Sequence, residues 1–445
     1  MAAFDVQDFI DHRKVSATHV AVLALGMAMM FVDGLDVFMV GKIAPAIAKG
    51  YGRPTSAMTT VFLMQQIGLA VGAFVTTPMA DRFGRKRMML VSAAAFGALT
   101  LATVLAQSLL QLAILRGVAG LFLSGMVPMA MSLVAEASPA KRRGTFIALA
   151  LIGYTGGGAA GGAIAAWLID DYGWRSAFWI AGLLPLACVP LMWLLVPESL
   201  QYMVSRNPGD PRIPRAVLRF APELVLTGSE AFVVGDGSKR ADKAGLLDIF
   251  RDGRARTTTI LWLCCLLSMG NIALLASWMP SFFQEMAGVP IQRFAVTAMI
   301  SFVGGLAGTL TMGWLLDRVR PSRLIPAYYL GNAAALVSLG VIPFASPAFL
   351  GLLTVWSLFQ TGGQFGINAL MTRIYPASAR STGVGWAGGA GRIGGIIAPL
   401  FGGFALASNM SLQQTMLLIA LPSVAVALML TLLVPVRPAT EPVAA

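Results

Sequence analysis

The sequence predicts an all-α integral membrane protein with twelve transmembrane helices, arranged as two pseudo-symmetric halves of six helices each. Three observations support this: a low charge content, apolar runs that recur at span length, and a pair of charged loops that occurs twice. Of the 445 residues, 57% are hydrophobic and 12% are charged, against about 25% charged residues in an ordinary soluble protein. A run of about 20 apolar residues lets a helix cross the bilayer core.

The apolar runs define twelve predicted spans. In chain order their bounds are 18–42, 56–80, 88–107, 110–135, 145–168, 175–196, 257–284, 292–316, 322–343, 347–372, 382–407 and 411–434. A polar segment rich in Pro, Gly and charge separates span 6 from span 7, so the predicted domains are 1–198, the cytoplasmic linker 199–255, and 256–445. The segment Phe4–Lys14 lacks the basic region of a cleavable signal, so we expect no signal peptide.

The chain has a net charge of +12, and its Lys and Arg are unevenly distributed along the sequence. With both termini in the cytoplasm, most of the 32 Lys and Arg fall on cytoplasmic segments. This is the positive-inside bias of a bacterial inner-membrane protein. Two cations, Arg116 and Arg392, fall within spans. Five fall on the predicted extracytoplasmic side: Lys42, Lys49, Arg53, Arg175 and Arg293. We therefore expect a multi-pass monomer in lipid that binds no nucleic acid.

Cysteine and histidine are too few and too scattered for a metal centre. Cys188, Cys264 and Cys265 lie in predicted spans, whereas His12 and His19 lie near the N-terminus. This spacing predicts neither a metal site nor a disulfide framework. The sequence also shows no activated nucleophile or histidine dyad, so we expect no enzyme activity and no cofactor.

Two charged loops recur at nearly the same interval. The loop Asp81–Arg87 follows span 2 and Asp317–Arg323 follows span 8, an offset of 236 residues. Pro139–Arg143 precedes span 5 and Pro376–Arg380 precedes span 11, an offset of 237 residues. The agreement predicts a duplicated six-helix unit. Duplicated helical halves around a midplane binding site are the architecture of secondary transporters.

Glycines at four-residue spacing mark close helix contacts in the two equivalent spans. Gly153, Gly157 and Gly161 share one face of span 5, and Gly385 and Gly389, then Gly391 and Gly395, follow the same spacing in span 11. Small residues at this spacing let helix backbones approach closely. The pattern fits both static packing and a surface on which helices slide.

The duplicated loops resemble the signature of the major facilitator superfamily, Gly-x-Leu-Ala-Asp-Arg-x-Gly-Arg-Arg/Lys. The first copy reads Thr77-Pro-Met-Ala-Asp-Arg-Phe-Gly-Arg-Lys86, with Thr in place of the leading Gly, and the second copy, Gly313-Trp-Leu-Leu-Asp-Arg318, keeps that Gly. The resemblance implies a cytoplasmic cluster that latches the outward-open state. Its implied gating residues are Asp81, Arg82, Arg85, Glu136, Asp317, Arg318 and Arg380.

Two contacts are expected within this cluster. Asp81 is placed to accept hydrogen bonds from the N-terminus of a neighbouring helix, where the helix dipole favours a negative charge. Arg82 and Arg85 can pair with Glu136 or Glu198 through charge-assisted hydrogen bonds.

Four further segments resemble the aromatic acid:proton symporter family, which includes hydroxybenzoate permeases. They are Asp33-Gly-Leu-Asp36 in span 1, Pro197-Glu-Ser199 after span 6, Ser277-Trp-Met-Pro280 in span 7, and Tyr375–Trp386 running on to Gly391-Arg-Ile-Gly394. The resemblance implies proton-coupled uptake of an aromatic or related acid. Proton-coupled drug antiporters of the superfamily carry Gly-Pro-x-x-Gly-Gly in span 5, whereas this chain has Gly157-Gly-Ala-Ala-Gly-Gly162, which weighs against export.

Two carboxylates and two guanidinium groups lie inside predicted spans. A charge at a helix centre costs roughly 2.5–3.5 kcal/mol on insertion scales, so each needs a partner or a function. Helix rise puts Asp33 roughly 20 Å from the cytoplasmic edge and Arg116 roughly 10 Å from the outer edge of a core about 30 Å thick. We therefore predict an Asp33–Arg116 pair. Asp36 is the predicted proton carrier, with Asp33 interchangeable in that role, and Arg392 is predicted to bind the substrate carboxylate bidentately.

Polar residues in other spans are candidates for the binding cavity. Gln360, Gln364 and Asn368 form a polar stripe on one face of span 10, and amides in lipid are expensive, so the stripe should face protein or water. Trp278 suits either a stacking wall for an aromatic ring or a membrane-interface anchor. The other candidates, each of which could instead hydrogen-bond between helices, are Asn271, Tyr154 and Gln65.

Together with these residues, the resemblance to the aromatic acid:proton symporter family implies a proton-coupled symporter that imports an aromatic or related carboxylate. Two alternatives stay open. The first is a proton-coupled efflux antiporter for drugs or weak acids. The second is a membrane sensor that binds ligand without flux and uses 199–255 as its output segment, although that segment contains no recognisable signalling module.

Overall fold

The computed structural model describes residues 3–226, 230–235, 249–251, 253–375 and 379–432. The helices sort into two compact units. Unit 1 comprises Met1–Lys239 and unit 2 comprises Arg240–Ala445. Each unit contains six membrane-length helical segments, and unit 1 adds a short N-terminal arm and two short helices after its last span.

Unit 1 begins with an arm made of β1 (Ala3–Asp5) and α1 (Val6–Asp11). Its spans are α2 (Ala17–Gly50), α3 (Thr59–Phe83), α4 (Arg85–Ala102), α5 with α6 (Leu109–Leu123 and Met126–Ala137), α7 (Arg143–Tyr172) and α8 (Arg175–Leu195). The break between α5 and α6 precedes Pro128, which cannot donate to the Ser124 carbonyl. The predicted linker opens with α9 (Leu200–Arg206), α10 (Ile213–Phe220) and β2 (Ala231–Val233), and β2 pairs in parallel with β1. That part of the linker belongs to unit 1.

Unit 2 contains six long helices. They are α11 (Ala255–Ala287), α12 (Ile291–Leu316), α13 (Pro321–Leu339), α14 (Pro347–Ile374), α15 (Arg380–Ala407) and α16 (Leu412–Thr431). Within the described residues, ten helical segments of the two units are long and apolar enough to cross a membrane. The other two of the twelve predicted spans are α13 and α14, and α14 carries the polar stripe.

Both units use the same helix pairing. In unit 1, α2 packs on α7, α3 on α5, and α4 on α8. In unit 2, α11 packs on α15, α12 on α14, and α13 on α16. In each unit the first span therefore contacts the fifth, the second the fourth, and the third the sixth. This repetition is what a duplicated six-helix unit predicts.

Glycine makes the close contact between α2 and α7 possible. A Cβ added to Gly157 of α7 would lie 1.9 Å from the Phe31 carbonyl oxygen of α2, and one added to Gly34 would lie 2.0 Å from the Tyr154 carbonyl oxygen. Neither position has room for a side chain, so α2 and α7 touch through their backbones. This contact sets the position of Asp33 and Asp36, which flank Gly34 on α2.

Candidate functional site

An ion pair between Asp36 and Arg116 lies at the centre of unit 1. Arg116 Nη2 on α5 donates to Asp36 Oδ2 on α2, and both side chains are 0% exposed. The predicted partner of Arg116 was Asp33, one turn earlier, and that prediction is wrong. The prediction took the depth of each residue in the membrane from helix rise alone. However, α2 has 34 residues, more than a helix needs to cross the membrane. An error of three residues moves a side chain by only about 4.5 Å.

The buried pair leaves hydrogen-bonding capacity unused. Arg116 Nε, Arg116 Nη1 and Asp36 Oδ1 are buried without a hydrogen-bond partner among the described residues. The guanidinium carbon of Arg116 also lies 5.7 Å from the ring centroid of Phe178, within range of a cation–π attraction. Because a guanidinium has five N–H donors in a planar fork, Arg116 can take a second carboxylate in addition to Asp36.

Asp33 has different surroundings from Asp36. Its side chain is 6% exposed and interacts electrostatically with Tyr154 on α7. The Tyr154 ring is edge-on to Phe38, with ring centroids 6.0 Å apart. Gln65 is buried on α3, which packs on α5. Asp33, Tyr154, Asp36 and Arg116 thus lie in unit 1. Asp36 pairs with Arg116, whereas Asp33 interacts with Tyr154.

Lys42 is a buried lysine that the sequence analysis did not predict. It was predicted to lie outside the membrane, but its side chain is 4% exposed, and its Nζ donates to the Gly158 carbonyl oxygen of α7 over 2.7 Å. The signal that could have found it is the apolar run Ile43–Ala48, which continues α2 beyond the lysine. Lys42 therefore adds a buried amine to the interior that also holds Asp33 and Asp36.

The candidates on α11 pack within unit 2. Asn271 Nδ2 donates to the Ile419 carbonyl oxygen and to Ser423 Oγ of α16, each over 3.1 Å, which is the interhelical bonding considered as its alternative. Trp278 is 0% exposed, and its Nε1 donates to the Pro399 carbonyl oxygen over 2.9 Å. Trp278 is thus an interior residue and not a membrane-interface anchor.

The polar stripe of α14 runs from the interior to an exposed position. Gln360 is buried, Gln364 is half-buried and Asn368 is exposed. Arg392 lies on α15, where it is half-buried and engaged in an interaction of its own. It stands twelve residues after the start of α15, which corresponds to roughly 18 Å of helix.

The first copy of the loop motif, in unit 1, forms a hydrogen-bonded cluster around Glu136, called the latch below. Arg85 lies 3.3 Å from Glu136 Oε1 and 3.3 Å from Asp81 Oδ1, and Ser199 Oγ donates to Glu136 Oε2. The predicted Arg85–Glu136 contact is confirmed. Arg82 is exposed and lies over the Phe83 ring, with no ion pair among the described residues, so its predicted pairing with a glutamate is wrong.

Glu198, and not Asp81, occupies the helix N-terminus in this latch. The backbone N–H groups of Lys86 and Arg87 donate to Glu198 over 2.9 and 3.3 Å. Asp81 lies in the last turn of α3, four residues before α4 begins at Arg85, and it contacts Arg85 through its side chain instead. The N-terminus of α4 therefore binds the carboxylate of Glu198, which lies in the segment after α8.

Among the residues that the structure describes, the second copy of the motif forms no equivalent latch. Asp317 is exposed, and Arg318 donates to the Trp314 carbonyl oxygen over 2.9 Å with its guanidinium carbon 4.0 Å from the Trp314 ring centroid. The repeat offset places Thr372 or Arg373 where unit 1 has Glu136, so the acid is missing. Arg380 begins α15, but its side chain lies outside the described residues.

Replacing Gly84 with Ala is expected to destabilise the latch. Gly84 has φ +106°, and a Cβ there would lie 2.4 Å from Glu198 Oε2. A strained backbone of this kind costs about 1–3 kcal/mol, so the melting temperature of the purified protein should fall by several degrees. Gly144→Ala is the control, because Gly144 lies in α7 with nothing within 4 Å of an added Cβ. Equal melting temperatures for the two variants would contradict this account.

A family model decides where this twelve-helix chain belongs. The model of the Major Facilitator Superfamily matches residues 26–365 and 298–445. The chain belongs to the Major Facilitator Superfamily. Members are transporters and not enzymes, so that prediction is confirmed, and the transporter is a multi-pass membrane protein.

Similar proteins point to one group within the superfamily. A gallate transporter of Pseudomonas putida is 33% identical over 427 residues, covering 96% of this chain and 94% of the relative. A 4-hydroxybenzoate transporter of Acinetobacter baylyi is 30% identical over 429 residues, covering 96% and 93%. The resemblance to the aromatic-acid permeases of the superfamily is thereby confirmed.

Solved structures confirm the fold. A bacterial homologue of the human lysosomal transporter Spinster, in an inward-facing and unoccupied conformation, matches with a TM-score of 0.72 at 18% identity, covering 94% of this chain and 97% of that one. A D-xylose–proton symporter matches with a TM-score of 0.69 at 16% identity, covering 92% and 97%. The predicted twelve-helix architecture is therefore correct.

Proposed function

We propose that the transporter imports an aromatic or related organic acid together with a proton, by alternating access. The observation that supports this most directly is the buried Asp36–Arg116 pair, in which Arg116 keeps two N–H-bearing nitrogens without a partner among the described residues. Arginine binds a carboxylate bidentately and stays charged. The relatives that transport gallate and 4-hydroxybenzoate support a carboxylate on an aromatic ring as the substrate.

The coupling step follows from charge balance around Arg116. When a substrate carboxylate binds the unused N–H groups of Arg116, two carboxylates share one guanidinium, and the second carboxylate would be an uncompensated buried anion. Such an anion is costly in a low-dielectric site, so Asp36 takes up a proton instead. The site then holds one cation, one substrate anion and one neutral acid, and its net charge equals that of the empty site. Proton and acid therefore bind together and leave together.

The remaining predicted residues keep their proposed roles. Asp33 shares proton coupling with Asp36, and Arg392 offers a further guanidinium for a carboxylate. Six other residues are proposed to bind substrate: Asn271, Trp278, Gln364, Asn368, Tyr154 and Gln65. The latch residues are proposed to gate the cycle. We place the monomer in a bacterial inner membrane with both termini in the cytoplasm, and the proton is its coupling ion.

Uptake by reconstituted vesicles tests this proposal. The expected result is that an inward-directed proton gradient drives accumulation of a labelled aromatic acid and that a protonophore abolishes it. An efflux antiporter would move the acid against the direction of the proton. A sensor would bind the acid without any flux. Either result would contradict symport, and protein-free vesicles correct for passive entry of the protonated acid.

A further inference from the structure

A chain of hydrogen bonds joins a buried tyrosine of unit 2 to the exposed end of the polar stripe. The Tyr329 hydroxyl on α13 lies 2.5 Å from Ser268 Oγ on α11. Ser268 Oγ donates to Gln364 Oε1 over 2.6 Å, and Gln364 Nε2 donates to Asn368 Oδ1 over 3.1 Å. Tyr329 and Ser268 are each 2% exposed, whereas Asn368 is exposed. The chain therefore leads from the interior to the surface of α14.

The number of hydroxyl protons sets the direction of this chain. Each hydroxyl has one proton to donate. Because Ser268 gives its proton to the Gln364 carbonyl, its oxygen must accept from Tyr329. If the chain ran the other way, Tyr329 would accept from Ser268, and its own buried proton would find no acceptor among the described residues. An unpaired buried hydroxyl is unfavourable, so the donors point from Tyr329 towards Asn368.

The direction determines what Asn368 can present. Its carbonyl oxygen is occupied by Gln364, so the amide turns its N–H bonds outward. An exposed amide is too costly against lipid and belongs next to water or a polar ligand. A guanidinium such as that of Arg392, in the same unit, suits a carboxylate, whereas a neutral amide donor suits a neutral oxygen.

We propose that Tyr329 and Ser268 are positioning residues that hold the Asn368 amide as a hydrogen-bond donor to a ring hydroxyl oxygen of the transported acid. This inference rests on the proposed function and adds selectivity to it. The chain would favour hydroxylated aromatic acids over the same acids without the ring hydroxyl. Tyr329 and Ser268 act through Gln364 and do not touch the substrate themselves.

The test compares uptake of 4-hydroxybenzoate and benzoate by wild type and by Tyr329→Phe. The variant removes the first proton of the chain and keeps the ring. One neutral hydrogen bond corresponds to roughly threefold to tenfold in affinity. In Tyr329→Phe the KM for 4-hydroxybenzoate should therefore rise by that factor. The KM for benzoate and the maximal rates for both acids should stay constant. Tyr328→Phe is the matched control, since Tyr328 is also buried but bonds Thr311 Oγ1 at 2.9 Å.

A double-variant cycle separates positioning from general packing. Asn368→Ala should lower the preference for 4-hydroxybenzoate, and adding Tyr329→Phe should change it no further. Ser268→Thr, which keeps a hydroxyl, should retain the preference that Ser268→Ala loses. An equal change in KM for both acids, or additive effects in the cycle, would overturn the inference. Asn368→Ala alone still decides the case if Tyr329→Phe does not fold.

The outcome is also separable from the proposed function. If the wild-type protein takes up neither acid, nor any member of a panel of hydroxylated and unsubstituted pairs, the proposed function itself fails. If it takes up both acids and Tyr329→Phe leaves the preference unchanged, only the positioning chain fails.

Discussion

Asp36→Asn is expected to abolish proton-driven accumulation while substrate exchange across the membrane continues. Asparagine keeps the shape of the protonated side chain but cannot gain or lose a proton. Arg116 then has no anion until the substrate carboxylate arrives, so binding survives and its dependence on protons disappears. For one proton per acid, wild type can reach about tenfold accumulation for each unit of pH gradient. The variant should stop at equal concentrations on the two sides.

The measurement uses two assays on the same vesicles: uptake driven by a pH gradient, and counterflow at equal pH. Asp210→Asn is the control, because Asp210 forms an ion pair with Arg212 outside the membrane-length helices, and it should behave as wild type. Asp33→Asn, run in parallel, shows whether the neighbouring carboxylate shares the role. Wild-type accumulation by Asp36→Asn would remove Asp36 from the coupling mechanism.

Sequence patterns predicted the helices well, and they identified Asp33, Asp36 and Arg116 as buried ionisable residues. Apolar run length alone located the twelve spans, because the bilayer core imposes one length on every crossing helix. The repeat offset also places Met269 and Ile272 where unit 1 has Asp33 and Asp36, so unit 2 lacks carboxylates at these two positions. These features depend on local composition, which a sequence displays directly.

Pairing between helices was harder to predict. Choosing between Asp33 and Asp36 requires the rotation of α2, which is set by the backbone contacts of Gly34 and Gly157 with the facing helix. Helix rise gives depth but no rotation. Glu198 was missed as the acceptor at the start of α4 for a similar reason, because the segment after α8 approaches it from 111 residues away. Contacts of this kind depend on tertiary packing and leave no local pattern.

Lys42 shows where the positive-inside count fails. A lysine at the end of an apolar run is normally placed in the headgroup region, where its ammonium reaches water. Here α2 continues for another eight residues to Gly50, and the ammonium bonds the Gly158 carbonyl of α7. The interior of unit 1 therefore contains a buried lysine that the span assignment placed outside the membrane.

Arg116→Met should destabilise the protein strongly, and adding Asp36→Asn should restore most of the loss. Removing one partner of a buried pair leaves the other as an uncompensated charge and costs about 3–5 kcal/mol, whereas replacing both with neutral groups is often close to neutral. The melting temperature of the purified protein measures both effects. Arg53→Met is the control for removing an arginine, because Arg53 is exposed. If the double variant is no more stable than Arg116→Met, Asp36 is not the group that Arg116 neutralises. If it is rescued yet cannot accumulate substrate, the pair is required for coupling and not for folding alone.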